Sequence, residues 1–254
     1  MTKPWPYPRI FAHRGGGALA PENTLAAIRV GQLLGYRAHE IDVKLSKDGV
    51  SLLLHDPTLE RTTNGSGRAA DLDWAALGKL DAGAWHSEAF RGERLATFAE
   101  ATRLMRSAGT MANVEIKPTP GFEVVTARQV AAEAADLWRG AEAPPLISSF
   151  SFDAMKVAKE VAPHLPRAWL ASQVTEDDFG RLEALEAVSI HTNHRKLVPG
   201  HVPRLKAAGY RVLVYTVNDV ETAKRLFDLG IDGLFTDNLR EFAAAFPAAI
   251  AAPL

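Results

Sequence analysis

The sequence predicts an α/β fold, a closed (β/α)8 barrel of the TIM type with a small insertion after its second strand. Strand-like and helix-like segments alternate almost without interruption along the 254 residues, a pattern that favours a parallel sheet wrapped by helices. Eight such β–α pairs with short connections fit a sheet that closes on itself better than an open one. The length agrees, since barrels of this kind commonly use about 250 residues as one domain. Residues 1–254 are therefore expected to form one barrel domain.

Residues 1–8 carry proline at positions 4, 6 and 8 and predict an extended, polyproline-like lead-in. The eight strand candidates are residues 9–13, 38–45, 111–117, 145–150, 167–171, 187–193, 211–218 and 232–237. The helix candidates are residues 23–34, 97–108, 122–138, 152–161, 176–185, 201–208, 220–229 and 240–246. Gly35, Gly109, Gly140, Gly209 and Gly230 follow the last apolar positions of their helices, where a left-handed residue is wanted. A ninth strand candidate, residues 50–55, comes straight after Ser46-Lys47-Asp48-Gly49 and reads as the return arm of a β-hairpin. With Asp48-Gly49 as the two-residue loop, His55 stands opposite Asp42; with Lys47-Asp48 it faces Glu40. As an antiparallel extension of the second strand, this arm leaves the barrel at eight. Residues from about 57 to 95 form a long excursion carrying Trp74, Trp85 and Phe90, expected to cap the C-terminal rim.

With 47% apolar and 23% charged residues, the chain has enough to bury a large core and is too balanced for disorder. A net charge of −1 and a pI near 6.7 point to no nucleic-acid partner and no acidic membrane surface. Affinity for an anion must then be local to a site. The absence of cysteine excludes disulfides, thiolate nucleophiles and Cys-ligated zinc. No stretch resembles a signal peptide or reaches the roughly 20 apolar residues of a membrane span. A cytoplasmic protein without stable membrane association is expected, and nothing sets its oligomeric state.

Four polar clusters each close an apolar run: His13-Arg14-Gly15, Glu40-Ile41-Asp42, His55-Asp56 and Glu115-Ile116-Lys117. Strand alternation points Glu40 with Asp42, and Glu115 with Lys117. On a barrel these ends belong to the C-terminal rim, where such folds place their active sites. Three carboxylates suit one hard divalent cation, and two imidazoles suit proton transfer to an anionic substrate. Arg14 offers a planar fork to an anionic substrate and Lys117 a point charge.

Each residue also has a plainer reading. A strand-end histidine is often only a hydrogen-bonded structural group, and a Glu-x-Asp pair only solvated charge. Lys117 fits a Schiff-base lysine or a salt-bridge partner of Glu115 as well as a phosphate ligand. Asn23 is equally a helix cap or a residue lining the site. Phe150 and Tyr215 either fill the barrel or line the substrate pocket. His191, Asn193 and His194 form a second polar group without an acidic partner, read as rim or structural. Gly15-Gly16-Gly17 is read as a turn into the first helix.

These motifs resemble the glycerophosphodiester phosphodiesterase family, in its short cytosolic bacterial type. The resemblance rests on His13-Arg14-Gly15, Pro21-Glu22-Asn23-Thr24, Glu40-x-Asp42, Lys47-Asp48-Gly49, His55-Asp56, Arg61-Thr62-Thr63, Glu115-x-Lys117, Ser148-Ser149-Phe150 and Tyr215-Thr216-Val217-Asn218. The set runs in order through nearly the whole chain and is specific as a set. One departure stands out: family members commonly have proline two residues after the last strand's aspartate, whereas Asp237 is followed by Asn238-Leu239. The resemblance implies a barrel that hydrolyses glycerophosphodiesters to sn-glycerol 3-phosphate and an alcohol. It implies His13 and His55 as the acid–base pair, with His13 as acceptor and His55 as donor. It implies Glu40, Asp42 and Glu115 as ligands of one divalent cation, Mg²⁺ or Ca²⁺, and Arg14 and Lys117 as phosphate contacts. The alternatives are a phospholipase-type phosphodiesterase acting on lipid headgroups, a non-catalytic phosphate-ligand binding barrel, and an aldolase using Lys117.

Overall fold

The sequence folds in a computed structural model that describes residues 5–253. Its strands are β1 (Ile10–Ala12), β2 (Ala38–Leu45), β3 (Ser51–Leu53), β4 (Met111–Ile116), β5 (Leu146–Ser149), β6 (Arg167–Ala171), β7 (Ser189–Asn193), β8 (Arg211–Tyr215) and β9 (Gly233–Thr236). All pair in parallel except β3, and β1 pairs with both β2 and β9, which closes a ring of eight. The helices are α1 (Leu25–Leu33), the short α2 (Trp74–Leu77), α3 (Phe98–Ser107), α4 (Glu123–Leu137), α5 (Phe152–Val161), α6 (Asp177–Ala184), α7 (His201–Ala207), α8 (Val220–Asp228), α9 (Leu239–Ala245) and α10 (Pro247–Ala251). The expected (β/α)8 barrel is therefore formed, with one antiparallel strand added. The five expected helix-terminal glycines all take positive φ, from +62° to +96°. The lead-in expected for residues 1–8 lies partly outside the described residues.

The helix expected over residues 240–246 is α9, and a further helix not expected from the sequence, α10, follows it with Pro247 at its first position. One expectation needs correction: the hairpin takes neither expected register. Val43 pairs with Leu53 and Leu45 with Ser51, so the loop has three residues, 47–49, with Gly49 left-handed at φ +80°. Extended to His55, that register falls opposite Ile41, between the two acids. Pairing stops at Leu53, and the last backbone–backbone bond of the arm runs from Leu54 N to Asp42 O at 3.1 Å.

The hairpin has room because β2 is long and β1 is short. β1 pairs with β2 only at Ala12–His39, while β4 pairs with residues 38–43 on the opposite edge. The edge of β2 above β1 is thus vacant, and β3 occupies it.

Strand alternation sorts the core into two layers. Outward residues such as Ile41, Val43, Val114 and Ile190 pack with the helices. Inward residues Phe11, Ala38, Leu146, Ala168, Leu213 and Phe235 fill the lumen, and Trp5 and Tyr7 close it from the N-terminal side. The excursion has its own small core, Leu52, Leu54, Leu59, Ala69, Leu77, Ala82 and Leu95, with Trp74 against it. Its Glu93 carboxylate accepts from Ala26 N at 3.0 Å and pins it to the start of α1. No helix among the described residues is long and apolar enough to cross a membrane.

Candidate active site

The acidic centre follows from register. Glu40 and Asp42 share the inward face of β2, and the β2–β4 ladder sets Asp42 directly beside Glu115. Oxygens of all three carboxylates lie within 4.8 Å of one another, and all three residues are buried. Burial pushes the Glu40 and Glu115 carboxyls up, and the nearby Asp42 charge adds to the push. Asp42 goes down: burial is outweighed by Lys117, His55, Arg14 and the Asn23 amide. Buried like charges at this spacing are stable only with a counter-charge, and an all-oxygen donor set fits a hard divalent cation.

The histidines flank this centre, each with one ring nitrogen committed. His13 Nδ1 lies 2.6 Å from Asp237 Oδ1, and its Nε2 is 3.8 Å from Glu40 Oε2. His55 Nδ1 lies 2.6 Å from Asp56 Oδ1. That leaves Nε2 of each ring for proton exchange. Burial works against a proton on His13, but the Asp237 bond and the Glu40 and Asp237 charges carry it upward. Burial lowers His55, helped by Lys117 and Arg14 and opposed by Asp42 and Asp56.

Two cations complete the set. Lys117 donates to Glu115 at 2.6 Å, lies 3.6 Å from Asp42, and sits 5.4 Å over the Phe150 ring. Arg14 donates to Glu22 at 2.8 Å, with its Nε 3.7 Å from Asp42. Its backbone N–H also donates to Glu40 at 2.9 Å. Arg14 and Asn23 both adopt left-handed backbone, at φ +50° and +58°. Non-glycine residues in that region carry strain of about 1–3 kcal/mol, which is commonly stored at functional sites.

His13, Arg14, Glu40, Asp42, His55, Glu115, Lys117, Phe150 and Tyr215 line one cavity of about 170 Å³. Asn23 does not. Its amide donates to Asp42 at 2.8 Å, and its carbonyl accepts from Asp42 N at 3.0 Å. Of the two readings of Asn23, the helix cap falls to the neighbouring Thr24, and Asn23 itself braces a site carboxylate. Tyr215 donates to Ala171 O, leaving its ring edge-on to Phe150 at 5.9 Å. His191 is on the buried floor, against Phe235 at 5.1 Å, and not on the rim. Gly17 allows a close passage, since a Cβ there would lie 2.3 Å from Asp237 O.

The sequence reading missed the residues that hold this site. Asp56, Arg61, Glu22 and Arg14 form a continuous chain: Arg61 donates to Asp56 at 2.5 Å and to Glu22 at 2.7 and 2.8 Å. The signal lies in Pro21-Glu22, His55-Asp56 and Arg61-Thr62, whose spacing alone assigns these charges no partner. Asp237, fixed by Asn218 at 3.0 Å, was noted only for the missing proline. There Asn238 holds the turn instead, donating to Asn218 O. The aromatics of the excursion do not line the cavity; Trp85 and Phe90 each meet His86 edge-on.

A family model described as "Glycerophosphoryl diester phosphodiesterase family" matches residues 13–241. A glycerophosphodiester phosphodiesterase of Caldanaerobacter subterraneus subsp. tengcongensis is 33% identical over 233 residues, covering 90% of this chain and 93% of the relative. A glycerophosphodiester phosphodiesterase of Bacillus altitudinis is 30% identical, with 90% and 94% covered. Among solved structures, an Oleispira antarctica phosphodiesterase in complex with the product sn-glycerol-3-phosphate superposes with a TM-score of 0.88 at 34% identity, covering 95% of this chain and 97% of that one. The family match spans both ends of the cavity, from His13 to beyond Asp237, so the chain belongs to the glycerophosphoryl diester phosphodiesterase family and is an enzyme of that class.

Proposed function

We propose that this enzyme hydrolyses small glycerophosphodiesters to sn-glycerol 3-phosphate and an alcohol, with one divalent cation, Mg²⁺ or Ca²⁺, and a histidine acid–base pair. One observation carries the proposal: three carboxylates, two histidines with committed Nδ1 atoms, an arginine and a lysine surround a single cavity. Glu40, Asp42 and Glu115 would hold the cation, which when bound offsets phosphoryl charge as a Lewis acid. Arg14 and Lys117 bind the phosphodiester oxygens, and Phe150 and Tyr215 line the pocket for the departing alcohol. Residues from about 57 to 95 serve this site as a brace, through Asp56 outside the segment and Arg61 inside it.

The family resemblance assigns His13 as proton acceptor and His55 as the donor to the leaving oxygen. Without ligand, Asp237 and Glu40 raise His13 while burial, Lys117 and Arg14 lower His55, so these roles require bound ligand to change the balance of charge around both rings. Incubation with a panel of glycerophosphodiesters, with and without chelator, tests the proposal by release of glycerol 3-phosphate. Chelator-sensitive release is expected. Undiminished turnover by metal-free enzyme would overturn the cation, and no release from any diester would overturn the substrate class.

A further inference from the structure

The last inward residue of β2, Lys44, has no role in the proposed reaction. Lys44 follows Glu40 and Asp42 on the same face, at the height where β2 lies between β3 and β4. Its side chain is only 1% exposed. The Nζ donates to the backbone carbonyl of His55 at 3.0 Å and reaches that of Lys117 at 3.4 Å. Asp42, Asp56 and Glu115 supply the negative charge around it. A buried ammonium is costly unless paired and hydrogen-bonded, so two carbonyl partners and an acidic surround are what keep it in place.

Both carbonyls belong to residues assigned here to the reaction, and both lie just beyond the end of a strand. Strand β3 stops at Leu53 and β4 at Ile116; Lys117 N still donates to Val43 O at 2.9 Å, whereas His55 lies one residue past the last backbone bond of its arm, Leu54 N to Asp42 O. We propose that Lys44 is a positioning residue of the diesterase reaction: it ties the main chain of His55 to that of Lys117 and so sets the imidazole at the height of the acidic centre. The proposal deepens the reading above and rests on His55 being the proton donor. His55 then has two anchors, Asp56 on its ring and Lys44 on its backbone.

Lys44→Met keeps the stem and removes the donors, Lys44→Gln keeps an uncharged N–H donor group, and Lys44→Arg keeps the charge. The three are compared with wild type and His55→Ala on two glycerophosphodiesters, one releasing an alkyl alcohol and one releasing p-nitrophenol. Cation affinity is measured by calorimetry with Mg²⁺ alone, and folding by thermal melting. A displacement near 1 Å of a catalytic group costs on the order of 10²-fold. Lys44→Met is expected to lose roughly 10–100-fold in kcat on the alkyl substrate and under tenfold on the nitrophenyl one, with KM and cation affinity little changed. Lys44→Arg and Lys44→Gln are expected to recover part of the alkyl rate. Equal loss on both substrates, or a lower melting temperature with unchanged kcat, overturns the positioning role. If Lys44→Met does not fold, the same leaving-group ratio read on Lys44→Gln decides. If His55→Ala itself shows no leaving-group dependence, the reading of His55 as donor fails first and takes this proposal with it.

Discussion

Glu115 and Asp42 stand side by side in a ladder, and each carboxylate raises the cost of ionising the other. Glu115→Gln removes one charge and one oxygen donor, and is expected to weaken cation affinity by roughly tenfold or more, since charge count sets such affinities. Activity should fall with it and return in part with excess cation; calorimetry and rate titrations read both. The same carboxylates couple the cation to pH. Glu40 and Glu115 are held up in the metal-free protein, so between the ordinary carboxylate range and neutrality the folded state keeps protons that the unfolded state has lost. Stability therefore falls as pH rises through that window. Cation binding displaces those protons, so the rise in melting temperature on adding Mg²⁺ should grow from pH 5 to 8. A rise that shrinks with pH contradicts the assignment. For the histidines, His13→Ala and His55→Ala are each expected to lower kcat by about 10²–10⁴-fold with cation binding retained. The double variant should lose less than the product of the two. A nitrophenyl leaving group should rescue the donor's variant only; loss of bound cation in both would make these residues ligands instead.

At the level of elements, the loop bearing His13 and Arg14 hangs on α1 and β2. His39 of β2 is fully buried and bonds Gly15 O through Nδ1 at 3.0 Å. Gly31 of α1 lets this happen, for a Cβ there would lie 2.5 Å from Gly15 O and 2.7 Å from His39 Cε1. Gly31→Ala should push the loop off its seat. It is expected to cost about 1–3 kcal/mol of stability as overpacking does, and on the order of 10²-fold in kcat through misplacement. Urea unfolding and steady-state kinetics measure the two; unchanged kcat in a destabilised variant would show the loop to be independent of this contact. The hairpin shows the limit of reading elements locally. Its existence was legible in Ser46-Lys47-Asp48-Gly49, but its register was not, because two- and three-residue loops share that composition and differ by one step of pairing.

Across the molecule, the lumen is apolar at its N-terminal end and ionic at its C-terminal end, and the first supports the second. Phe11 is fully buried, 5.1 Å from Phe235 and 6.2 Å from Tyr7. Phe11→Ala should cost about 3–5 kcal/mol, read as a shifted urea midpoint with the cavity residues untouched. A cost near zero would mean that the plug formed by Trp5 and Tyr7 closes the barrel without it. Closure also joins distant chain segments: His13 and Asp237 are 224 residues apart and meet because β1 pairs with β9.

Sequence alone determined what depends on short spacings. The β–α alternation gave the barrel, period-two alternation put Glu40 with Asp42 and Glu115 with Lys117 on inward faces, and the helix-terminal glycines fell where left-handed backbone was needed. It brought nine of the ten candidate residues to one cavity. Tertiary structure decided the partners: Asp237 on His13, Asp56 on His55, Glu22 and Arg61 between them, Asn23 on Asp42, and Lys44 under two carbonyls. The reason is physical. Alternation is fixed within a few residues by backbone geometry, whereas which side chain meets which across the rim depends on barrel closure, on hairpin register and on left-handed turns at Arg14 and Asn23. None of these leaves a periodic trace in the chain.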